Sequence, residues 1–167
     1  MNKLSQQQRN KRFSLALLAL LCLAVIGSFY IRSSRAAGAT SWGDPVSTAW
    51  HSGDGPYYIS TSADLAGLAE LVNGGTDFSG KTIYLSNDID LESRDWVPIG
   101  LDFDIYFSGT LRGQGHAVKN LYISDDQRRF NGLFGRIDSA SISDLAVTGN
   151  VISSYTKAYV GGIAGYL

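Results

Sequence analysis

The stretch N-G-L-F-G-R-I, from Asn131 to Ile137, recurs as G-G-I-A-G-Y-L from Gly161 to Leu167, at an offset of 30 residues. In both copies a glycine stands on each side of two apolar residues. Glycine adopts positive φ angles and lets another backbone approach closely, as the corners of a tightly wound chain require. The repeat therefore predicts turns at its glycines and burial of the residues between them.

Leu133 and Phe134, the apolar pair of the first copy, are predicted to fill the interior of the fold. In a regular strand, adjacent side chains point to opposite faces. We therefore expect one of the two residues to lie at a bend or to cover an end of the core.

A second similarity relates the segment H-A-V-K-N-L-Y-I-S to A-S-I-S-D-L-A-V-T, at an offset of 24. It places Val118 on Ile142 and Asn120 on Asp144. We expect the two polar residues to stack as a short ladder that satisfies backbone groups at a turn. A repeat of 24 to 30 residues, made of short strands and glycine turns, is typical of a stacked solenoid.

One amphipathic helix is predicted over about 61–73. Thr61 and Asp64 have the spacing of a capping box, and two glycines follow the end of the apolar pattern. The apolar residues at helical spacing are Leu65, Leu68, Ala69 and Val72. We expect this helix to cover the amino-terminal end of the strands. After Gly75 the helical period disappears and short alternating strands begin, the first of them at Thr82.

Residues 1–39 have the layout of an export signal. Four basic residues come first, an apolar run follows over 13–31, and Ala37-Gly38-Ala39 provides a small-x-small cleavage pattern before Thr40. The alternative is an uncleaved membrane anchor, because the apolar run is long enough to cross a bilayer. Both alternatives predict that the remainder is exported to the cell surface or secreted. Residues 40–56, rich in Gly, Ser, Thr and Asp, are predicted to be a linker.

The chain after residue 39 is acidic and contains no cysteine. It has eight basic and fifteen acidic residues, a formal net charge of −7, and the single cysteine, Cys22, lies within the apolar run. The negative charge disfavours nucleic acid as a partner, and it disfavours contact with anionic lipid outside the amino-terminal segment. Burial, without disulfides, must therefore stabilise the fold.

Several motifs in this order resemble the GLUG-repeat proteins of bacterial surfaces, which include adhesin-like chains and relatives of immunoglobulin A peptidases. They are W-V-P-I-G at 96–100, F-S-G-T-L-R-G-Q-G-H-A-V-K-N-L-Y-I at 107–123 and the N-G-L-F-G-R-I stretch. The residues that carry the resemblance are Trp96, Pro98, Gly100, Gly109, Gly113, Gly115, Asn120, Gly132, Leu133, Phe134, Gly135, Gly162 and Gly165.

The resemblance implies a mainly β fold, a right-handed parallel β-helix over 57–167 with the helix as its amino-terminal cap. The repeats then span about 107–137 and 138–167. The second copy departs from the pattern, with Ile-Ala in place of Leu-Phe, and the sequence ends within it. A solenoid that ends on an unpaired coil has open strand edges, so we expect the chain to be the amino-terminal fragment of a longer protein.

Two acidic pairs are the candidates for chemistry, Asp88 with Asp90 and Asp102 with Asp104. Each pair is spaced to share one face of a strand, as a calcium site or general acid–base catalysis would need. The alternative is that these carboxylates solvate the strand face. His51 and His116 stand far apart without a zinc-binding pattern, and we interpret His116 as a turn residue. We assign no catalytic residue, no metal and no cofactor.

Exposed aromatic rings are the remaining functional feature, since they can stack on sugars or on partner proteins; the alternative is that they close the core. The sequence thus predicts a non-enzymatic, exported bacterial surface protein that acts in adhesion, binding or spacing. Its partner would be a host or cell-surface protein or a glycan. The other hypothesis is the amino-terminal part of a secreted enzyme, a polysaccharide-active β-helix or a peptidase-associated chain, whose catalytic residues follow residue 167.

Overall fold

The computed structural model describes residues 46–125 and 127–167, and this part of the chain is mainly β with one helix. The predicted export signal and the apolar run at 13–31 lie outside the described residues. In the order of the chain, the elements are β1 (Tyr57–Ile59), α1 (Ser62–Asn73), β2 (Thr82–Leu85), β3 (Ile89–Asp90), β4 (Thr110–Arg112), β5 (Ala117–Ser124), β6 (Phe130–Asn131), β7 (Phe134–Arg136), β8 (Ser141–Ser143), β9 (Ala146–Ile152), β10 (Tyr159–Val160) and β11 (Ala164–Tyr166).

The strands form parallel sheets in which hydrogen-bonded neighbours lie about one repeat apart in sequence. The strand orders are β1-β2-β4-β8, β3-β5-β9, β10-β6 and β11-β7. All of these pairs are parallel. In the first sheet Ile83 pairs with Leu111, and Leu111 pairs with Ile142. Their side chains alternate with outward-facing polar residues, so one face of this sheet is buried.

The two copies of the glycine motif lie side by side, at the predicted offset of 30. Phe134 pairs with Ala164 and Arg136 pairs with Tyr166, and the Phe134 N–H donates to the Ile163 carbonyl at 2.8 Å. Leu133 and Phe134 are both 0% exposed. Leu133 lies at the bend between β6 and β7, which allows both adjacent side chains to reach the core. The predicted burial of this pair, with one residue at a bend, is confirmed.

The predicted offset of 24 is wrong. Val118 pairs with Val147, and Ile142 pairs with Leu111 in a different sheet. Alternating apolar residues match each other in more than one register, so the pattern alone does not select the partner. The lengths of the turns decide the register, because four residues separate β4 from β5 whereas two separate β8 from β9.

Asn120 and Asp144 consequently do not form the predicted ladder. Asn120 adopts a φ of 56° at a register shift within β5, and its Nδ2 donates to Asp90 Oδ1 at 2.8 Å. The Asp144 carbonyl instead accepts the Gly115 N–H at 2.9 Å, across the turn that follows β4. Both residues adopt left-handed conformations, which Asn and Asp tolerate better than most side chains.

The helix α1 is confirmed with its predicted cap and buried face. Thr61 is the N-cap; its hydroxyl accepts the Asp64 N–H, and the Asp64 carboxylate accepts the Thr61 N–H in return. The predicted apolar residues are all buried within the same core as the strands: Leu65, Leu68, Ala69 and Val72. Among the described residues, no helix has the combined length and apolar character needed to cross a membrane.

Part of the segment predicted as a linker packs against α1. The Ser47 N–H donates to the Ala63 carbonyl at 3.0 Å, and the Trp50 indole N–H lies 3.1 Å from the Asp64 carbonyl. A Cβ atom on Gly67 would lie only 1.9 Å from the Ser47 carbonyl oxygen. Ser47 and Trp50 therefore lie directly on the helix, and glycine at position 67 allows this contact.

Asn73, the last residue of α1, connects the helix to the W-V-P-I-G segment. Its Nδ2 donates to the Pro98 carbonyl at 3.0 Å, and its Oδ1 accepts the Gly100 N–H at 2.9 Å. We expect Asn73→Ala to lower the free energy of unfolding by about 1–3 kcal/mol, because two partly buried backbone groups lose a partner. Urea unfolding followed by tryptophan fluorescence measures this. The matched control is Asn87→Ala, which removes one exposed 3.4 Å contact; equal effects of the two variants would contradict the expectation.

All four sheets end on strands from the last part of the sequence, at 141–166, which we call the terminal strands. Leu111 and Val118 are fully buried, but their partners on the terminal strands, Ile142 and Val147, are only partly buried. Four of the large apolar residues exposed here are Ile152, Tyr159, Val160 and Ile163. Within 46–125 and 127–167, the terminal strands thus have no strand paired on their outer edges, beside an incompletely covered core.

Candidate functional site

Asp88, the first candidate carboxylate, contacts the strand beside it. Its Oδ2 lies 2.6 Å from Lys119 Nζ, its Oδ1 accepts the Ala117 N–H at 3.0 Å, and His116 Nδ1 lies 3.4 Å from Oδ1. The hydrogen bond from Lys119, followed by that from the Ala117 N–H, lowers the pKa of Asp88 from 3.8 to about 2. Asp88 therefore joins the start of β5 to the turn before β3.

We expect this contact to make stability depend on pH in acid. A carboxylate whose pKa is lowered by folding stabilises the native state above its unfolded pKa of 3.8, and this contribution disappears as the pH falls through about 2. The stability difference between the wild-type protein and Asp88→Asn should therefore be largest near neutral pH and vanish across that interval. Urea midpoints measured at several pH values test this.

Asp104→Asn is the control for the pH series, because Asp104 makes no ion pair among the described residues and is exposed. The expectation is wrong if the stability difference for Asp88→Asn is the same at pH 2 and at neutral pH.

Asp90 is held in a similar way. Its Oδ1 accepts hydrogen bonds from the side chain of Asn120 at 2.8 Å and from the Glu92 N–H at 2.7 Å. These hydrogen bonds, that from Asn120 first, lower the pKa of Asp90. Asp88 and Asp90 are both exposed, Asp90 within β3 and Asp88 just before it, and the contacts of each carboxylate support the pairing of β3 with β5.

The second acidic pair lies in a turn. Asp102 and Ile105 form an isolated antiparallel bridge, and Asp102 Oδ1 accepts the Phe103 N–H at 2.7 Å. Asp104 lies at the tip of this turn and is exposed. Among the described residues, no cluster of three or more His, Cys, Asp or Glu side chains could hold a metal ion.

The two histidines lie in different environments. His51 lies 4.8 Å from the ring of Tyr57 and 5.2 Å from that of Phe78, measured between ring centroids, at the amino-terminal end of the described chain. His116 lies in the turn between β4 and β5, as interpreted from the sequence, beside Asp88. The structure therefore does not bring the two histidines together.

Most of the predicted motif residues are buried or lie where another segment of the chain approaches closely. Trp96 is 1% exposed, and its indole N–H donates to the Leu133 carbonyl at 3.0 Å, so the W-V-P-I-G segment contacts the glycine motif directly. An added Cβ atom would lie within 3 Å of a neighbouring atom at six of the predicted glycines: Gly100, Gly109, Gly113, Gly132, Gly135 and Gly165. Gly115 has a φ of 82°, and Gly162 has open space around it.

Two arginines, Arg129 and Arg136, lie beside the aromatic rings of Phe103, Tyr106 and Tyr166. We call these five residues the arginine cluster. The guanidinium carbon of Arg136 lies 4.8 Å from the ring centroid of Tyr106 and 5.8 Å from those of Phe103 and Tyr166. Its Nη1 donates to the Phe103 carbonyl, and its Nη2 lies 3.1 Å from Asp138 Oδ2. The cluster thus attaches the 102–106 turn to β7 through cation–π contacts.

Sequence reasoning missed the arginine cluster. Arg136 is visible in the N-G-L-F-G-R-I stretch, but its aromatic contacts come from a turn about thirty residues earlier and from the neighbouring strand β11. A signal was available in the offset of 30, which places Tyr166 on Arg136. Two residues on adjacent strands in register lie close enough for their side chains to stack.

Comparison with known proteins gives two distant relatives. Over 132 residues, 75% of this chain, the sequence is 30% identical to a protein named as a Gly-rich membrane protein from Evansella cellulosilytica. Over 112 residues, 58% of this chain, it is 29% identical to halomucin from Haloquadratum walsbyi. The chain spans only 15% of the length of the first relative and 1% of the second. No protein-family model and no solved structure matches it.

The first relative is named as a membrane protein, which is loosely consistent with a location at the cell surface.

Proposed function

We propose that residues 57–167 are a short right-handed parallel β-helix of the GLUG-repeat type, and that the protein is an exported, non-enzymatic module for adhesion, binding or spacing at a bacterial surface. The observation that carries this proposal is the register of the glycine motif, in which Phe134 pairs with Ala164 and Arg136 with Tyr166. A repeat that lies directly beside its own copy is what a stacked architecture requires.

The parallel sheets extend the same argument to the rest of the domain. Tyr57 pairs with Ile83, Ile83 with Leu111 and Leu111 with Ile142, so each step along the sheet advances by 26–31 residues. Parallel neighbours need a connection of a dozen or more residues. In this chain most such connections contain further short strands that belong to the other sheets, as in a β-helix.

The contacts of the candidate carboxylates support a structural interpretation of this surface. Asp88 and Asp90 contact β5, and the guanidinium of Arg136 is held by Asp138 and by aromatic rings. Export is supported by the basic, apolar and small-residue order of 1–39 and by the names of the distant relatives.

Protease treatment of intact cells tests the location. The full chain with a carboxy-terminal epitope tag would be produced in a Gram-positive host, and we expect external protease to remove the tag while a cytoplasmic marker stays intact. The matched control deletes 13–31, which should leave the tag protected inside the cell. Protection of the tag in the unaltered chain, with the protein recovered from the cytoplasm, would overturn the proposed function.

A further inference from the structure

We propose that the outer face of the β1-β2-β4-β8 sheet binds an uncharged polysaccharide chain, which lies across the strands over Tyr58, Tyr84 and Arg112. This inference rests on the proposed function, since it assigns a ligand class to an exported binding module. We call this surface the tyrosine face.

The alternation of the strands defines the tyrosine face. Ile83 and Leu111 are fully buried, so the residues on either side of each point outward. The register aligns these outward residues in two rows across the sheet. One row contains Tyr58, Tyr84, Arg112 and Ser143, and the other contains Thr82, Thr110 and Ser141.

The two tyrosines form an exposed aromatic stack. The ring centroids of Tyr58 and Tyr84 are 5.3 Å apart with an interplanar angle of 20°, and Tyr58 is 56% exposed. Cross-strand pairing explains why the two rings touch. It does not explain why so much of the apolar Tyr58 ring is exposed to water. An exposed tyrosine ring can pack against sugar C–H groups while its hydroxyl forms a hydrogen bond with the sugar.

Arg112 extends the aromatic row with an unused donor group. It is exposed and pairs in register with Tyr84. Within the described residues it has no ion pair, no hydrogen bond and no ring contact, whereas Arg94, Arg128 and Arg136 each have a carboxylate partner. Its five N–H donors are therefore available to hydroxyl oxygens of a ligand placed over the tyrosines.

The distribution of charge favours an uncharged polymer of hydroxyl groups. The two rows contain no acidic residue, although the chain after residue 39 has a formal net charge of −7. Two carboxylates close in sequence to β1 already have partners: Asp54 lies 3.5 Å from Lys81 Nζ, and Asp64 caps α1. The surrounding negative charge would repel a polyanion, whereas the hydroxyls of Thr82, Thr110 and Ser141 suit a neutral sugar chain.

Affinity electrophoresis of the full chain through gels that contain a neutral polysaccharide tests the proposal. The probes are amylose, dextran, a mixed-linkage β-glucan and arabinoxylan, with polygalacturonate as the acidic comparison. We expect retardation by at least one neutral polymer and none by polygalacturonate. Tyr58→Ala and Arg112→Gln should each weaken that retardation by about tenfold in apparent Kd.

The control variants are Tyr122→Ala, which removes a tyrosine from another sheet, and Lys157→Gln, which removes one positive charge from an exposed site far along the chain. Both should bind as the wild-type protein does. Tyr58, Arg112 and Lys157 are exposed, so the thermal unfolding of these three variants should be close to that of the wild-type protein.

Three results would overturn the proposal: no retardation by any neutral polymer, retardation by polygalacturonate alone, or retardation that Tyr58→Ala and Arg112→Gln leave unchanged. Protease treatment of cells distinguishes a failure of the glycan-binding proposal from a failure of the proposed function. A chain that is exposed on cells but not retarded overturns the glycan site alone, and a chain retained in the cytoplasm overturns the proposed function itself.

Discussion

Replacing Gly135 with alanine is expected to lower the free energy of unfolding by about 3 kcal/mol or more, which is a large part of the stability of a domain this size. An added Cβ atom would lie 2.2 Å from the Gly100 carbonyl oxygen and 3.1 Å from the Pro98 Cβ. The first of these is a backbone atom, and its position is held because Gly100 also accepts the Arg136 N–H. The clash can therefore be relieved only by separating two hydrogen-bonded segments.

Gly162→Ala is the matched control, because Gly162 lies in the second copy of the same motif and an added Cβ atom would meet nothing within 4 Å. We expect its stability to lie within about 0.5 kcal/mol of wild type. Urea unfolding followed by tryptophan fluorescence measures both variants. Equal stability of the two variants would show that the close approach at Gly135 is absent.

Replacing Trp96 should have the second large effect. Trp96 is among the largest fully buried side chains, and its indole N–H donates to the Leu133 carbonyl at 3.0 Å. Trp96→Ala is expected to cost about 3–5 kcal/mol, since it opens a cavity between the W-V-P-I-G segment and the glycine motif. Guanidinium unfolding followed by far-ultraviolet circular dichroism measures this without relying on the fluorescence of the altered residue.

Trp96→Phe separates packing from hydrogen bonding. Phenylalanine keeps most of the apolar contact but cannot donate to Leu133, whose carbonyl still accepts the Ile99 N–H at 3.1 Å. The expected loss is therefore smaller, about 1 kcal/mol for the hydrogen bond plus a cost for the reduced volume. If both variants were as stable as the wild type, Trp96 would not be part of the core.

The features that the sequence predicted correctly depend on local spacing or on a distinctive motif. The helix α1 could be predicted because its cap at Thr61 and its apolar period lie within thirteen residues. The partnership of Phe134 with Ala164 could be predicted because glycines mark the register on both sides. Val118 was paired wrongly because alternating apolar residues are interchangeable between registers, and nothing local indicates the length of a turn.

The candidate sites were harder to predict because their contacts join residues distant in sequence. The partners of Asp88 lie about thirty residues away, and they become apparent only when the register of β3 with β5 is known. The same holds for the row of Tyr58, Tyr84 and Arg112, which come from three separate strands. Sequence reasoning identified exposed aromatic rings as a functional feature, but it could not say which rings share a face.

The unequal turns between the first two sheets have a consequence for protein engineering. From Tyr84 to Ile89, from Arg112 to Val118 and from Ser143 to Val147 the chain turns the same corner with four, five and three intervening residues, yet the strands on both sides keep their register. These corners accommodate insertions and deletions without transmitting them to the sheets. We therefore expect a peptide tag or an enzyme cleavage site inserted between Gln114 and Gly115 to be displayed at the surface while the paired strands stay aligned, so that the domain could present foreign loops.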